Sequence, residues 1–479
     1  MTKPIDVDLA PQSLAAYRDL LGPAFDPVLD ASTEASGTLA GRVIWNVNST
    51  ARGGGVAEML YAYLPYVLDA GVDTRWQVIQ VSDPGFFVLT KRIHNQLHGD
   101  PGDGGPLGPE ERDFYMRSLA DSAEAFASQV SPDDVVILHD PQTAGLIPAV
   151  KERGAMVVWR CHIGIDDAND ITRQAQALLS GLIELADGCV FSRSEYVWPA
   201  MDPARSTVIP PGIDAFTPKN QHMDESTLAG VLGQIGLSGS RPHTPPVFTR
   251  SDGSSGAVSR EARIVQEAPL PEDAKLVVQV SRWDRLKDHG GLLTLFTRDM
   301  TDQGSHLALV GPDSSGVDDD PEGAAVYEEI VDQYRALPDS MRNRIHLVSL
   351  PMEDLEENAF MVNAIQRRAT VIVQKSLAEG YGLTVSEGMW KSRPMVASRI
   401  GGIRDQIEDG ESGILIDDAR DLPAFAAAID RLLADDGEAE RIGRAGHEAV
   451  KGGALSVQRL VRHYELLVQL SGQTSSASA

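Results

Sequence analysis

Residues 42–71 read RVIWNVNSTARGGGVAEMLYAYLPYVLDAG, and their order decides how the chain folds. Arg42–Val47 is rich in β-branched and aromatic residues, which predicts a strand. Asn48–Gly55 is polar and then glycine-rich. From Val56 onward apolar residues recur at spacings of three and four until Gly71, the pattern of an amphipathic helix closed by a glycine. Strand, glycine loop and helix in this order begin a crossover unit, the element from which parallel sheets are built.

The alternation continues through TRWQVIQV (74–81), DVVILH (134–139), MVVWRCH (156–162), GCVFS (188–192) and STVIP (206–210). Between Asn220 and Ala274 it breaks: SGSRPHTPP and RSDGSSG are turn-forming and poor in apolar residues. It resumes with KLVVQVS (275–281), HLALVG (306–311), RIHLVSL (344–350), TVIVQ (370–374), PMVAS (394–398) and GILID (413–417). The expectation is an α/β protein with two Rossmann-like, doubly wound domains. The first spans 1–215 and the second 275–455, with 216–274 as a linker or insertion. A helix over 456–470 is expected to pack back on the first domain, and 471–479 to be a disordered tail. The length of 479 residues agrees, since a single core stops growing well below that size.

Sixty-nine acidic against forty-two basic residues leave a formal charge of −27, a field that repels nucleic acid and anionic membranes. An anionic ligand must then be held by a few local cations and backbone amides. The two cysteines, Cys161 and Cys189, provide neither a disulfide framework nor zinc-site spacing. Without a basic-apolar leader or a run approaching ~18 apolar residues, the reading is a cytoplasmic protein with no membrane partner; a homodimer is compatible with it.

In open parallel sheets ligands bind beyond the carboxyl ends of the strands, so the loops there hold the candidates. Gly53, Gly54 and Gly55 lead into the first helix, where bare amides favour an anion, although a short glycine run is also an ordinary flexible turn. Arg282 and Lys287 follow KLVVQVS and would supply a fork and a point charge for a diphosphate. Glu379-Gly380-Tyr381-Gly382-Leu383-Thr384-Val385-Ser386-Glu387 enters a helix near Leu383. Its amides can face phosphate, Glu387 can accept from ribose hydroxyls and Glu379 from sugar hydroxyls. Taken singly, either glutamate is also a plain favourable charge at a helix start. His139-Asp140-Pro141-Gln142 and Trp159-Arg160-Cys161-His162 end two strands of the first domain.

The Arg282/Lys287 pair, the Glu379-x7-Glu387 element and Gly401-Gly402 resemble the retaining GT-B glycosyltransferases of family 4. WNVNSTARGGGVAEML, HDPQ, WRCHI, Pro210-Pro211-x-Ile213-Asp214 and SRWDRLKD most resemble trehalose glycosyltransferring synthases and trehalose phosphorylases, over roughly 42–417. Two departures stand out: Gly164 where those enzymes place an aspartate, and Gly212 in place of a serine. Asp166 or Asp167 could replace the missing carboxylate.

The resemblance implies a GT-B fold whose two domains face a cleft, and transfer of a hexose, most simply glucose, from a nucleotide-diphosphate sugar to a small sugar-like acceptor. It implies no cofactor and no metal, with Asp318-Asp319-Asp320 read as solvated acid. His162, Arg282, Lys287 and Glu379 become the catalytic set. Gly53, Gly54, Gly55, Gly380, Tyr381, Gly382, Leu383, Thr384 and Glu387, with the two cations, bind the donor. Asp140 and Gln142 face the acceptor. Phosphorolysis of trehalose, a specialised-metabolite acceptor and a catalytically silent sugar-nucleotide-binding regulator are the alternatives. Loss of the carboxylate at 164 makes free glucose an expected poor acceptor.

Overall fold

The computed structural model describes residues 3–51, 54–313 and 321–477. The chain forms two compact units, Met1–Gly212 with Leu455–Ala479, and Ile213–Ala454.

The first unit is built on β1 (Ile5–Val7), β2 (Ile44–Asn48), β3 (Thr74–Val78), β4 (Val135–His139), β5 (Met156–Cys161), β6 (Gly188–Phe191) and β7 (Ser206–Val208). Their order is β1-β3-β2-β4-β5-β6-β7. All pairings are parallel except β1 with β3, where Ile5 lies opposite Val78. β2, β4, β5 and β6 are buried along their whole length, as strands covered on both faces must be. Trp45, Trp159, Tyr115, Phe126 and Phe191 fill the core between sheet and helices. The β4–β5 register sets His139 against Arg160, which brings two polar strand ends together. The helix Ser456–Ala477 belongs to this unit and packs on the helix Asp26–Thr38. It runs to Ala477, through the polar stretch expected to be disordered; no proline follows Leu470 to stop it.

The second unit holds a hairpin of β8 (Val247–Thr249) and β9 (Ser255–Ala257) and a larger sheet. That sheet consists of β10 (Arg263–Val265), β11 (Leu276–Val280), β12 (His306–Pro312), β13 (Ile345–Leu350), β14 (Val371–Gln374), β15 (Met395–Ser398) and β16 (Ile414–Ile416). The order is β10-β13-β12-β11-β14-β15-β16, with only β10 antiparallel. The segment 216–274 is therefore part of this unit rather than a linker: it supplies an edge strand, the hairpin and the helix Glu225–Gln234. Its apolar residues are scattered through turn-forming sequence, which is why a periodicity does not reveal it; Ile235, Leu237 and Val258 are buried and Phe248 stacks on Phe360 (4.9 Å). Arg250 pairs with Asp354 and Glu356, and buried Glu357 accepts from the amides of Ser259 (2.6 Å) and Arg260 (2.8 Å).

The chain reverses its direction of travel across the sheet between β2 and β4 in the first unit and between β11 and β14 in the second. Such a switch point leaves a crevice at the carboxyl ends of the two strands, where open α/β sheets bind ligands.

Candidate functional site

In the first unit, the residues after β4 and β5 form a hydrogen-bonded network. Asp140 takes a left-handed backbone, φ 62°, which turns its carboxylate toward the next strand end. Its amide donates to the Arg160 carbonyl (2.8 Å) and its Oδ1 accepts from the His162 amide (2.7 Å). Burial pushes the Asp140 carboxyl up to about 7, against the opposing pull of that amide and of Arg160.

The proton positions along the histidines follow from one amide. Thr74 Oγ1 donates to the Ile44 carbonyl (3.1 Å), so it accepts from Asn46 Nδ2 (3.3 Å), and Asn46 Oδ1 must face the other way. There it accepts from Tyr63 (3.3 Å) and from His139 Nε2 (3.2 Å). His139 Nδ1 is then an acceptor for His162 Nε2 at 3.1 Å, the two rings being stacked 5.4 Å apart. His162 is left with Nδ1 as a lone pair, able to accept from a hydroxyl. Burial holds both rings well below the ordinary histidine range, with Arg160 adding to the effect, so both are neutral near pH 7.

Arg160 is 1% exposed and its hydrogen-bond partners are uncharged: His463 Nε2 at 2.7 Å, the Ile209 carbonyl at 3.4 Å and the Tyr63 hydroxyl. His463 stacks on Tyr63, ring centroids 5.6 Å apart. Gln142, half-buried, makes none of these bonds. Gly54, φ 84°, starts the helix Gly55–Asp69, as the glycine loop predicts, while Gly53 lies outside the described residues. At Gly164 a Cβ would stand 2.2 Å from Tyr196 Cγ, so a carboxylate has no room there. Asp166 is paired with buried Arg193 and Asp167 is exposed.

In the second unit the switch point gathers opposite charges. Lys287 Nζ donates to Glu379 Oε2 at 2.7 Å, with side chains only 14% and 13% exposed. A truss of buried groups fixes the turn that carries Lys287. Gln279 on β11 donates to the Lys287 carbonyl (2.7 Å) and accepts from the Lys375 amide (3.0 Å). Lys375, fully buried after β14, pairs with Asp288, whose left-handed backbone (φ 49°) caps the helix His289–Arg298. Arg282 is different: its side chain is 63% exposed and contacts Asp284 at 3.3 Å.

Gly380 to Gly382 form one tight loop. Gly382, φ 80°, begins the helix Leu383–Trp390, and Thr384 donates to Gln374 (3.1 Å). Gly401 and Gly402 close over this loop; a Cβ on Gly401 would lie 2.0 Å from the Glu379 carbonyl, and one on Gly402 2.6 Å from Tyr381 Cα. Glu387, one turn into the helix, is 3% exposed. Its Oε1 meets Lys219 Nζ at 3.1 Å, and its Oε2 is buried with no hydrogen-bond partner. Asp318-Asp319-Asp320 lies outside the described residues. Among the described residues no group of three or more His, Cys, Asp and Glu could hold a metal ion.

Asn46, Tyr63, His463, Lys219, Asp288 and Lys375 escape sequence reasoning. Asn46, Tyr63 and His463 sit inside strands and helices whose periodicity explains them as core or surface, and Asp288 and Lys375 follow strand ends without standing out among ordinary turn residues. Lys219 has a weak signal, following the Pro-Pro-x-Ile-Asp run closely, but it falls where the chain reads as a linker.

Comparison with known proteins agrees with this architecture. Residues 46–198 match the model of the trehalose synthase N-terminal domain, and residues 261–449 that of glycosyl transferases group 1. The chain is 33% identical over 468 residues to a trehalose synthase of Rubrobacter xylanophilus, covering 96% of this chain and 98% of that protein. A trehalose phosphorylase of Pleurotus pulmonarius is 27% identical, covering 77% of this chain but 49% of the relative. Among solved structures, an α,α-trehalose-phosphate synthase (UDP-forming) from Burkholderia vietnamiensis superposes with a TM-score of 0.65 at 16% identity, over 91% of this chain and 98% of that one. With the fold shared at that level and a full-length relative above 30% identity, the chain belongs to the trehalose synthase family and is a GT-B glycosyltransferase.

Proposed function

We propose that this enzyme transfers glucose, with retention of anomeric configuration, from a nucleotide-diphosphate glucose to a small sugar acceptor, forming trehalose or a close analogue. The observation that carries the reading is the unpartnered, buried Oε2 of Glu387, at the start of a helix entered through a left-handed glycine. A buried carboxylate oxygen left without a donor is costly, and a ribose hydroxyl supplies one. Lys287 and Arg282, with the amides near Gly382, neutralise the leaving diphosphate, so that side chains provide the positive charge and no metal is needed. Arg282 turns from Asp284 to do so. Glu379 binds the sugar, oriented by Lys287. In the first unit His162 Nδ1 accepts from a donor-sugar hydroxyl, and Asp140 and Gln142 address the acceptor. No side chain is assigned as a covalent nucleophile; the leaving phosphate takes the acceptor proton as the new bond forms on the same face.

Full-length similarity to a synthase, against similarity to half of a phosphorylase, favours transfer from a nucleotide over phosphorolysis. The test is incubation with UDP-glucose or ADP-glucose and glucose in the presence of EDTA, read by mass spectrometry for the disaccharide and by NMR for its linkage. An α,α-linked product formed without divalent ions is expected. Trehalose cleavage by phosphate alone, or an inverted linkage, would overturn the reading.

A further inference from the structure

Lys219 stands beside the buried carboxylate of Glu387. It lies in the connecting stretch Ile213–Asn220, remote in sequence from the helix it serves, yet its ammonium stands 3.1 Å from Glu387 Oε1. The side chain is 22% exposed against 3% for the glutamate, so the pair is a shielded one. Such a pair fixes geometry better than a solvated one, because removing either member leaves the other buried and charged.

The surroundings hold the glutamate from several sides. Asn220, next to Lys219, accepts from Lys391 Nζ (2.9 Å) through its side chain and from Trp390 Nε1 (3.1 Å) through its carbonyl. Lys391 also donates to the Glu387 carbonyl (3.0 Å). Arg367 bonds the carbonyls of Asn220 (3.3 Å) and Gln221 (3.0 Å), tying the same stretch to the helix Leu355–Arg368. The segment is therefore anchored to the glutamate's own helix and to its neighbour. One carboxylate oxygen is occupied by Lys219, and the other is buried with its hydrogen-bonding capacity unused.

We infer that Lys219 is a positioning residue for donor recognition: by occupying Oε1 it aims Oε2 at a ribose hydroxyl of the nucleotide sugar. The inference rests on the ribose role proposed above for Glu387. It is a matter of ground-state binding, so loss of Lys219 is expected in KM rather than in kcat.

The experiment compares the UDP-glucose donor with its 2′-deoxy- and 3′-deoxyribose analogues in the native enzyme and in Lys219→Met, Lys219→Arg and Glu387→Gln, using the adenosine series instead if the native enzyme turns over ADP-glucose. The native enzyme should disfavour at least one deoxy analogue by about 10-fold or more, the scale of leaving a buried charged acceptor unpaired. Lys219→Met should raise the KM of the full donor about 10-fold, keep kcat within roughly threefold, and reduce the discrimination to near unity; Lys219→Arg should restore most of it. If the methionine variant does not fold, Lys219→Gln, which keeps a donor but loses the charge, should still lose most of the discrimination. Native-like discrimination in the lysine variants, with Glu387→Gln abolishing it, would overturn the role of Lys219 while leaving the ribose reading intact. Discrimination that survives Glu387→Gln would overturn the ribose reading itself.

Discussion

The two units share a seven-stranded, nearly all-parallel sheet and gather polar residues at the same place, yet their electrostatics are opposite. The first unit assembles neutral groups, three histidines, an asparagine and a tyrosine, around one buried arginine whose hydrogen-bond partners carry no charge. The second assembles ion pairs: Lys287 with Glu379, Lys375 with Asp288, Lys219 with Glu387. On the proposed reading, one architecture serves two kinds of ligand chemistry. Neutral, tautomer-defined acceptors suit sugar hydroxyls, whereas cations held by carboxylates suit a diphosphate, which can displace the carboxylate without a large change in charge balance.

Substituting Lys287 strikes the charged half hardest. Lys287→Ala should lower turnover by about 10²–10³-fold, the effect of losing one preorganised charge stabiliser. Arg282→Ala should match it in turnover but not in stability: Lys287→Ala removes the cation beside the shielded carboxylate of Glu379, while Arg282 is largely exposed. Steady-state rates and thermal midpoints for both variants separate the effects, and undiminished activity in the double variant would remove the diphosphate assignment.

The neutral half should break through stability instead. His463→Ala takes the nearest partner from a buried guanidinium whose Nε is already unpaired, and should cost about 2–3 kcal/mol. Because the loss falls in the first unit, affinity for a nucleoside diphosphate, measured by calorimetry well below the melting temperature, should stay unchanged. An equal loss of nucleotide affinity would dissolve the division of labour.

Asp140 gives the neutral half a pH signature. Its carboxyl titrates near 7 in the folded protein and near 3.9 unfolded, so the folded state holds the extra proton in between. The stabilisation is complete below about pH 4 and is lost as pH rises to about 7. The depressed histidines act in the opposite sense, stabilising above about pH 6.5 and losing that as pH falls. Asp140→Asn removes the first slope alone. Relative to the native protein it should gain roughly 2 kcal/mol between pH 4 and pH 8, allowing for the surface the residue keeps. Parallel melting curves across that range would refute the assignment.

The smallest expected change concerns Gly164. The ring of Tyr196 occupies the space a side chain would need, so Gly164→Asp should cost about 1–2 kcal/mol by overpacking rather than restore an acceptor contact. Acceptor kinetics on the native protein are the cleaner test of the expectation that glucose is a poor acceptor; efficient use of glucose would refute it.

The strand pattern and the loops after the strands were legible because both follow from local chemistry: β-branched runs, glycines entering helices, and cations after a strand end. That chemistry singles out Lys287, Glu379, Gly382 and Glu387, of which the structure pairs Lys287 with Glu379 and sets Gly382 at the head of the helix carrying Glu387. What stayed hidden depends on pairing across long sequence distances. His463 meets Arg160 only because the last helix returns to the first unit, and Lys219 reaches Glu387 from a stretch poor in apolar periodicity. The segment 216–274 reads as a linker for the same reason: its buried apolar residues follow no local period, and its partners, such as Phe360 for Phe248 and Asp354 for Arg250, lie far along the chain.

The return of Leu455–Ala479 to the first unit also fixes an order of events during synthesis. Everything the second unit needs, Ile213–Ala454, leaves the ribosome before His463 does, so the inserted unit can be finished while its host still lacks the residue that satisfies Arg160. Until residue 463 has been added, Arg160 lacks its nearest partner. A chain cut short before residue 463 would keep every residue of the second unit but leave Arg160 without its nearest partner, so the host should be the less stable of the two and the first to be cut by a protease.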